Sequence, residues 1–392
     1  MSEAAAPARQ IRTDEEALAV AATFRDAFAT GAAGRDRDRR LPYAEVAALS
    51  QSGLWAITVP AEDGGAEVRH GTAAEVLALL AEADGSIAQI PQNHFATVET
   101  LRLVASVEQR RALFARVLAG ARFGNAEAER GQPAMLRATA DGFRLDGEKA
   151  YSTGALFADL ITVTARDEGG RLMLAIVEPG APGLTLRDDW SGMGQRTTGS
   201  GTTLLDGVVV RPEWVMPLDR AFGERSPVGA FAQLLHAAID LGLARGALRA
   251  AGDFVRERSR PFRDAGVARA QDDPLLLERF GALHVQAHAA EAMLARAALA
   301  LDATRAVPGE AACAAASIAV AEAKVLTTEA ALAAGSGLFE LAGTHATLAA
   351  YNLDRFWRDA RTHTLHDPVR WKYHTIGAFF LNGTPPPVRS YL

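Results

Sequence analysis

The segment THTLHD sets His363 and His366 three residues apart and ends on Asp367. On a helix, residues at that spacing share a face, so the two rings can meet in one pocket. An imidazole donates and accepts protons near neutral pH, which makes acid–base chemistry the natural use of such a pair. Two imidazoles and a carboxylate can also surround a metal ion, but this spacing alone is a weak metal signature and no metal is expected. Another histidine, His94, stands in PQNHF at 91–95. The lone Cys313 excludes a disulfide framework and a thiolate metal cluster, and it suits a reducing cytoplasm. GMGQ at 192–195 opens like a dinucleotide fingerprint but lacks the third glycine and runs into a strand. Neither a Walker A sequence, a nucleophile elbow nor HExxH occurs.

Three regions of different period must position these residues. Up to residue 120 the chain reads as helices: Thr13 and Glu16 form a capping box, and Leu18, Phe24 and Phe28 follow at helical spacing. The charged run GRDRDRR at 34–40 reads as a solvated connector, and Leu41-Pro42 opens the next helix. From 121 to 225, Asp-Gly pairs at 141–142 and 146–147 flank an alternating strand, which signals hairpins. LITVTA, RLMLAIV and GTTLLDGVVV add further strands, so a small antiparallel barrel or sandwich is expected. From 226 to 392, alanine-rich helices return, separated at Pro308-Gly309 and at GTH 343–345. Their small residues suit close helix packing, including packing against another subunit. The fold class is therefore α+β in the order helical domain, β domain, helical bundle. At 392 residues with 49% hydrophobic and 22% charged content, the chain can bury a large core. A formal net charge of −6 argues against a nucleic-acid partner. No run of 18 apolar residues and no signal-peptide pattern appears, so no membrane partner and a cytoplasmic location are expected.

Several of these segments together resemble the acyl-CoA dehydrogenase superfamily. They are GEKAYSTGA, DWSGMGQRTTGSGTTLLDGVVV and WRDAR at 357–361, and the likeness runs in order from LWAITVPAEDGGA to LHDPVRWKYH. Within the superfamily, PQNHF, DWSGMG and RTHTLHDPVRWKYH are most similar to the flavin-dependent monooxygenase branch. That branch includes dibenzothiophene monooxygenase and SfnB-type sulfur-acquisition oxidoreductases.

The resemblance implies a monooxygenase that takes FMN reduced by a separate NAD(P)H-dependent flavin reductase, forms a C4a-hydroperoxyflavin and passes oxygen from O2 to a small organosulfur compound. It implies a homotetramer. Thr153, beside Tyr151 and Ser152, corresponds to the residue at the flavin N5/C4a edge. Asn125, Glu127 and Ala128 lie on the strand whose backbone faces the ring, and Trp190 walls or stacks on it. Thr198 and Ser200 add hydroxyl donors to the phosphate. Arg258, Arg260 and Arg263 match the region that sends a phosphate-binding arginine to the neighbouring subunit, with Arg260 the first choice, because a guanidinium fork binds two oxygens at once. His94, Thr153, His363 and His366 are the expected catalytic set. Two departures bear on the alternative, an FAD-dependent acyl-CoA dehydrogenase. The dehydrogenase base position holds Asp367, one methylene short and followed by Pro368. The glycine-rich stretch that meets the adenylate reads FELAGTHATL, leaving Gly343 alone, which favours FMN over FAD. A non-catalytic flavin-binding scaffold is the third reading.

Overall fold

The computed structural model describes residues 8–223, 226–307 and 309–388. The N-terminal region folds as α1 (Asp14–Asp38), α2 (Tyr43–Gln51), α3 (His70–Ala83), α4 (Gly85–Val104) and α5 (Val107–Leu118). Thr13 caps α1 by accepting from the Glu16 N–H at 3.2 Å. The Glu16 carboxylate reaches the Arg12 N–H at 2.7 Å instead of returning to Thr13, so the capping box is half closed.

The charged run at 34–40 is only in part a solvated connector: Arg37, Asp38 and Arg40 are exposed, but Arg35 and Asp36 are buried. Its first five residues form the last turn of α1, and Arg35 is only 3% exposed. Its guanidinium donates to Asp84 at 2.9 Å, to Glu45 at 3.0 Å and to the Phe28 carbonyl at 2.6 Å. Asp36 accepts from Arg358 and Asn352, both more than 300 residues downstream. A buried guanidinium is tolerated because its donors find acceptors, and a local reading of charge cannot see partners so far along the chain. Asp84 also caps α4, accepting from Ser86 and Ile87. One ion-pair network thus fixes α1 against the start of α4.

The central region contains β1 (Phe123–Ala126), β2 (Ala128–Glu129), β3 (Met135–Thr139), β4 (Gly142–Ala150), β5 (Leu160–Asp167), β6 (Leu172–Val177), β7 (Leu184–Leu186), β8 (Thr203–Val210) and β9 (Val215–Pro217). They form one sheet with the path β7-β8-β4-β3-β5-β6-β9, to which β1 adds on β5 and β2 on β4. Most pairs are antiparallel, but β1 and β3 both run parallel to β5, so the sheet is mixed. The Asp-Gly pair at 141–142 turns β3 into β4 as expected. The pair at 146–147 does not turn the chain. It lies inside β4 at a register shift against β8. Asp146 is occupied by the Gly207 N–H at 2.7 Å and by Arg137 at 2.8 Å. Gly147 has φ 149°, and a Cβ there would meet Ala134 Cα at 2.8 Å. A bulge uses the same small residue that a turn would.

The last region comprises α6 (Asp219–Gly223), α7 (Val228–Glu257), α8 (Pro274–Ala306), α9 (Glu310–Ala342), α10 (Asp354–His363) and α11 (Val369–Asn382). Gly343 ends α9 as expected, while Pro308 lies outside the described residues. Small residues let backbones meet: a Cβ on Gly242 of α7 would stand 2.2 Å from the Ala78 carbonyl of α3. By length and composition α9 could cross a membrane, but 61% of its most apolar window is buried, the pattern of a core helix.

Candidate active site

The turn after β4 carries the first polar group. Tyr151 takes φ 52°, and Thr153 closes the turn by donating its N–H to the Tyr151 carbonyl at 2.7 Å. The Ser152 N–H bonds the Gly201 carbonyl at 2.9 Å, and the Asn125 N–H bonds the Thr153 carbonyl at 3.0 Å. These backbone bonds tie the turn to β1 and to the loop before β8. The Thr153 and Ser200 hydroxyls are 2.7 Å apart, and Ser200 donates to Thr198 at 2.7 Å. The Thr198 hydroxyl donates on to the Gln195 carbonyl at 3.1 Å, and Ser152 accepts from Thr203 at 2.8 Å. Trp190 also donates its ring N–H to the Gln195 carbonyl, at 2.9 Å, and the exposed Tyr151 ring stands edge-on to it at 6.1 Å. Thr153, Thr198, Ser200, Trp190 and Tyr151 therefore come together.

Asn125 accepts the Glu127 N–H at 2.7 Å, and the Glu127 carboxylate accepts from Thr162 at 3.0 Å. Burial raises the Glu127 carboxyl above its usual range, against the opposing pull of Thr162 and Lys149. Ala128 pairs with Ala150 in the sheet, beside the turn.

The loop at 190–200 is held by the WRDAR segment of α10. The Gln195 N–H donates to Asp359 at 2.5 Å, and Arg358 donates to the Met193 carbonyl at 2.9 Å. A Cβ on Gly194 would lie 2.0 Å from the Arg358 carbonyl, so only glycine fits. Burial, reinforced by Asp36 and Asp84, pushes the Asp359 carboxyl up to about 7.

The second polar group lies among the helices. His363 closes α10, and His366 sits in the following turn, so the two are not on one helical face. The turn still brings them together, because His366 Nδ1 bonds the His363 carbonyl at 2.8 Å. His363 Nδ1 contacts Asp240 at 2.5 Å, and its Nε2 contacts His236 Nδ1 at 3.1 Å. Asp240 also accepts from Lys324 at 2.6 Å and Thr328 at 3.1 Å. Burial holds the His363 imidazole down at about 4 and His236 well below its ordinary value. Burial alone would raise Asp240, but Lys324 and His363 outweigh it and hold the carboxyl near 2. Asp367 accepts from Gln233 at 2.8 Å, and Gln233 in turn accepts from Lys372 at 2.9 Å.

His94 does not join this group. It is fully buried, and both its nitrogens meet backbone: Nδ1 accepts the Phe123 N–H at 3.0 Å and Nε2 donates to the Trp55 carbonyl at 2.6 Å. Burial depresses it to about 3. In this chain its ring clamps α4 to β1. The three arginines stand apart too. Arg260 and Arg263 line an open cleft of about 720 Å³ with Arg279, Leu341 and Gly343. Arg258 lies over Tyr351 at 5.2 Å. Among the described residues no hydrogen bond or ion pair joins these arginines to the Thr153 turn.

Sequence reasoning missed His236, Asp240 and Lys324. The available signal was QLLHAAIDLG in α7 and AEAKVLTT in α9, where polar residues interrupt otherwise apolar helices. Such residues are expensive inside a bundle unless paired, so they point to each other.

The donor set suits a flavin mononucleotide. Hydroxyl groups meet an aromatic pair at the turn after β4, and guanidinium forks of the kind that suit a single phosphate line a separate cleft. Comparison with known proteins bears on the family and the cofactor. The acyl-CoA dehydrogenase N-terminal, middle and C-terminal domain families match residues 13–121, 124–208 and 234–371. The chain belongs to the acyl-CoA dehydrogenase superfamily, in its flavin-dependent monooxygenase branch. It is 34% identical to a dibenzothiophene monooxygenase of Rhodococcus erythropolis, over 95% of each chain. It is 32% identical to a probable FMNH2-dependent monooxygenase, SfnC, of Pseudomonas putida, over 96% of this chain and 97% of that one. FMN-bound TdsC of Paenibacillus sp. A11-2 superposes with a TM-score of 0.91 at 32% identity, covering 96% of this chain and all of its own.

Proposed function

We propose that this monooxygenase uses FMNH2 and O2 to oxygenate a small organosulfur compound. In balanced form, FMNH2 + O2 + substrate gives FMN + substrate carrying one added oxygen atom + H2O. The cofactor is FMN, which when bound and reduced supplies the electrons that activate oxygen. The observation that carries the reading is the hydroxyl relay Thr153–Ser200–Thr198 beside Trp190 and Tyr151, a donor-rich edge with aromatic walls. Thr153 orients the ring edge, and Asn125, Glu127 and Ala128 flank it through the backbone of β1 and β2. His366 holds and returns a proton during the oxygen step, and His363, whose two ring nitrogens are taken by Asp240 and His236, positions it through its carbonyl. His94 serves by position, fixing β1 on α4.

The arginines reach the phosphate of a flavin in a neighbouring subunit of a homotetramer, with Arg260 the principal contact. That no hydrogen bond or ion pair joins them to the Thr153 turn among the described residues supports that arrangement. Reduced FMN comes from a separate NAD(P)H-dependent reductase. Asp367, held by Gln233, is not positioned as a free base, which weighs against the acyl-CoA dehydrogenase alternative. The test is to supply reduced FMN and O2 with sulfides, sulfones and sulfinates while measuring product and hydrogen peroxide together. Sulfur-dependent product is expected. Acyl-CoA-dependent dye reduction without product would overturn the proposal.

A further inference from the structure

We infer that His236 is a further proton acceptor of this site and that the buried Asp240–Lys324 pair positions it through His363. The inference deepens the monooxygenase reading and rests on it for the use of the proton, but its geometry stands apart.

A neutral imidazole carries one N–H, and its partners decide which nitrogen bears it. Asp240 can only accept, so His363 carries its proton on Nδ1. Its Nε2 is then a lone pair, and the His236 Nδ1 that lies 3.1 Å away must donate to it. That leaves His236 with its lone pair on Nε2. The His363 carbonyl likewise accepts from His366 Nδ1 at 2.8 Å, leaving the His366 lone pair on Nε2. The ring centroids of His236 and His366 are 4.8 Å apart, and one nitrogen of each, with one of His363, lies within 4.8 Å of the others. Two adjoining rings thus each keep one lone-pair nitrogen, and either can take a proton and give it back. No net proton is consumed, since the hydrogens of FMNH2 end in water.

Asp240 can set this order because Lys324 and Thr328 fix its other oxygen, at 2.6 and 3.1 Å. Asp240 and Lys324 are both wholly buried, so water does not compete. The other charged groups around His236 are Lys324 on α9 and Lys372 on α11, with Asp367 in the turn after α10. Neither Lys324 nor Asp240 touches a place where substrate could bind, so both are positioning residues.

The consequence is specific. In Asp240→Asn the amide must turn its oxygen to the Lys324 ammonium, which leaves its NH2 facing His363 Nδ1. Both ends then reverse: His363 moves its proton to Nε2, and His236 moves its own to Nε2 as well. His366, bonded to a carbonyl, does not change and is the internal control.

The test is a long-range ¹H–¹⁵N spectrum of the full-length protein labelled at histidine, recorded without flavin or substrate. Assignment comes from His236→Gln, His363→Gln and His366→Gln. Wild type is expected to show all three as Nδ1–H, with His94 as Nε2–H. Asp240→Asn is expected to convert His363 and His236 only. A wild-type His236 in the Nε2–H form overturns the inference even if the variant does not fold. Unchanged tautomers in a folded variant overturn it too. Because these spectra need no turnover, their outcome is separate from whether the monooxygenase reading holds. For the use of the proton, His236→Gln is expected to keep FMN affinity, lower turnover about 10²-fold and raise peroxide. Unchanged turnover and coupling would remove His236 from the reaction.

Discussion

The two polar groups are built in opposite ways. The hydroxyl relay uses Thr153, Thr198 and Ser200, which sit on two loops of one sheet domain and are tied by backbone bonds to Asn125 and Gly201. The histidine relay draws on α7, α9, α10 and the turn beyond, joining residues up to 127 apart in sequence. The first is neutral and part of a turn, so its removal is cheap. The second has an ionic, wholly buried centre in Asp240, Lys324 and His363, stable only while those partners are present, with His366 at its exposed edge.

The sharpest way to break that contrast is Lys324→Met. It leaves the Asp240 carboxylate buried without its ammonium, and such a loss costs roughly 3–5 kcal/mol. Chemical denaturation should show it, whereas a change of under about 1 kcal/mol would mean the pair is not enclosed as described. His366→Ala comes next. It removes no buried ion-pair partner, so unfolding should stay near wild type while turnover falls about 10²–10⁴-fold and peroxide rises. Steady-state assays with matched reduced-flavin supply check both. Arg260→Ala should weaken FMN binding by about one to two decades, the worth of a charge-assisted contact, as read by flavin titration. Unchanged affinity would hand the phosphate to Arg258 or Arg263.

Asp359 sharpens the comparison through pH. Its carboxyl is raised from 3.8 to about 7 in the fold, so the folded state binds more protons than the unfolded one between those values. Wild-type stability should therefore fall as pH rises from about 4 to 7, a loss that Asp359→Asn should not show. Melting curves at pH 5 and 8 for both proteins measure it. The smallest effect is expected of Thr153→Val. One neutral hydrogen bond is worth about 0.5–1.5 kcal/mol, so stability should drop by that amount and no more.

What the sequence disclosed follows the same divide. Local signals worked where the partner is local: the Asp141-Gly142 turn and the strands β5, β6 and β8. They misled where a distant group decides. The Arg35–Asp36 run looks like solvated charge until Asp84 and Arg358 are in place. Asp146-Gly147 looks like a turn until Ala134 and Gly207 are seen against it. His94 looks reactive, yet Trp55 and Phe123 take both its nitrogens. His236 and Asp240 stand one helical turn apart in α7, but nothing in α7 names Lys324 as their partner.

The most direct test of the central claim is isotopic. Reduced FMN, ¹⁸O2 and an organosulfur substrate should give a product carrying one ¹⁸O on sulfur or the adjoining carbon, with wild type well coupled. His366→Ala should release mostly peroxide, and Asp367→Asn should remain active. Product without ¹⁸O, or activity lost in Asp367→Asn while His366→Ala stays coupled, would contradict it.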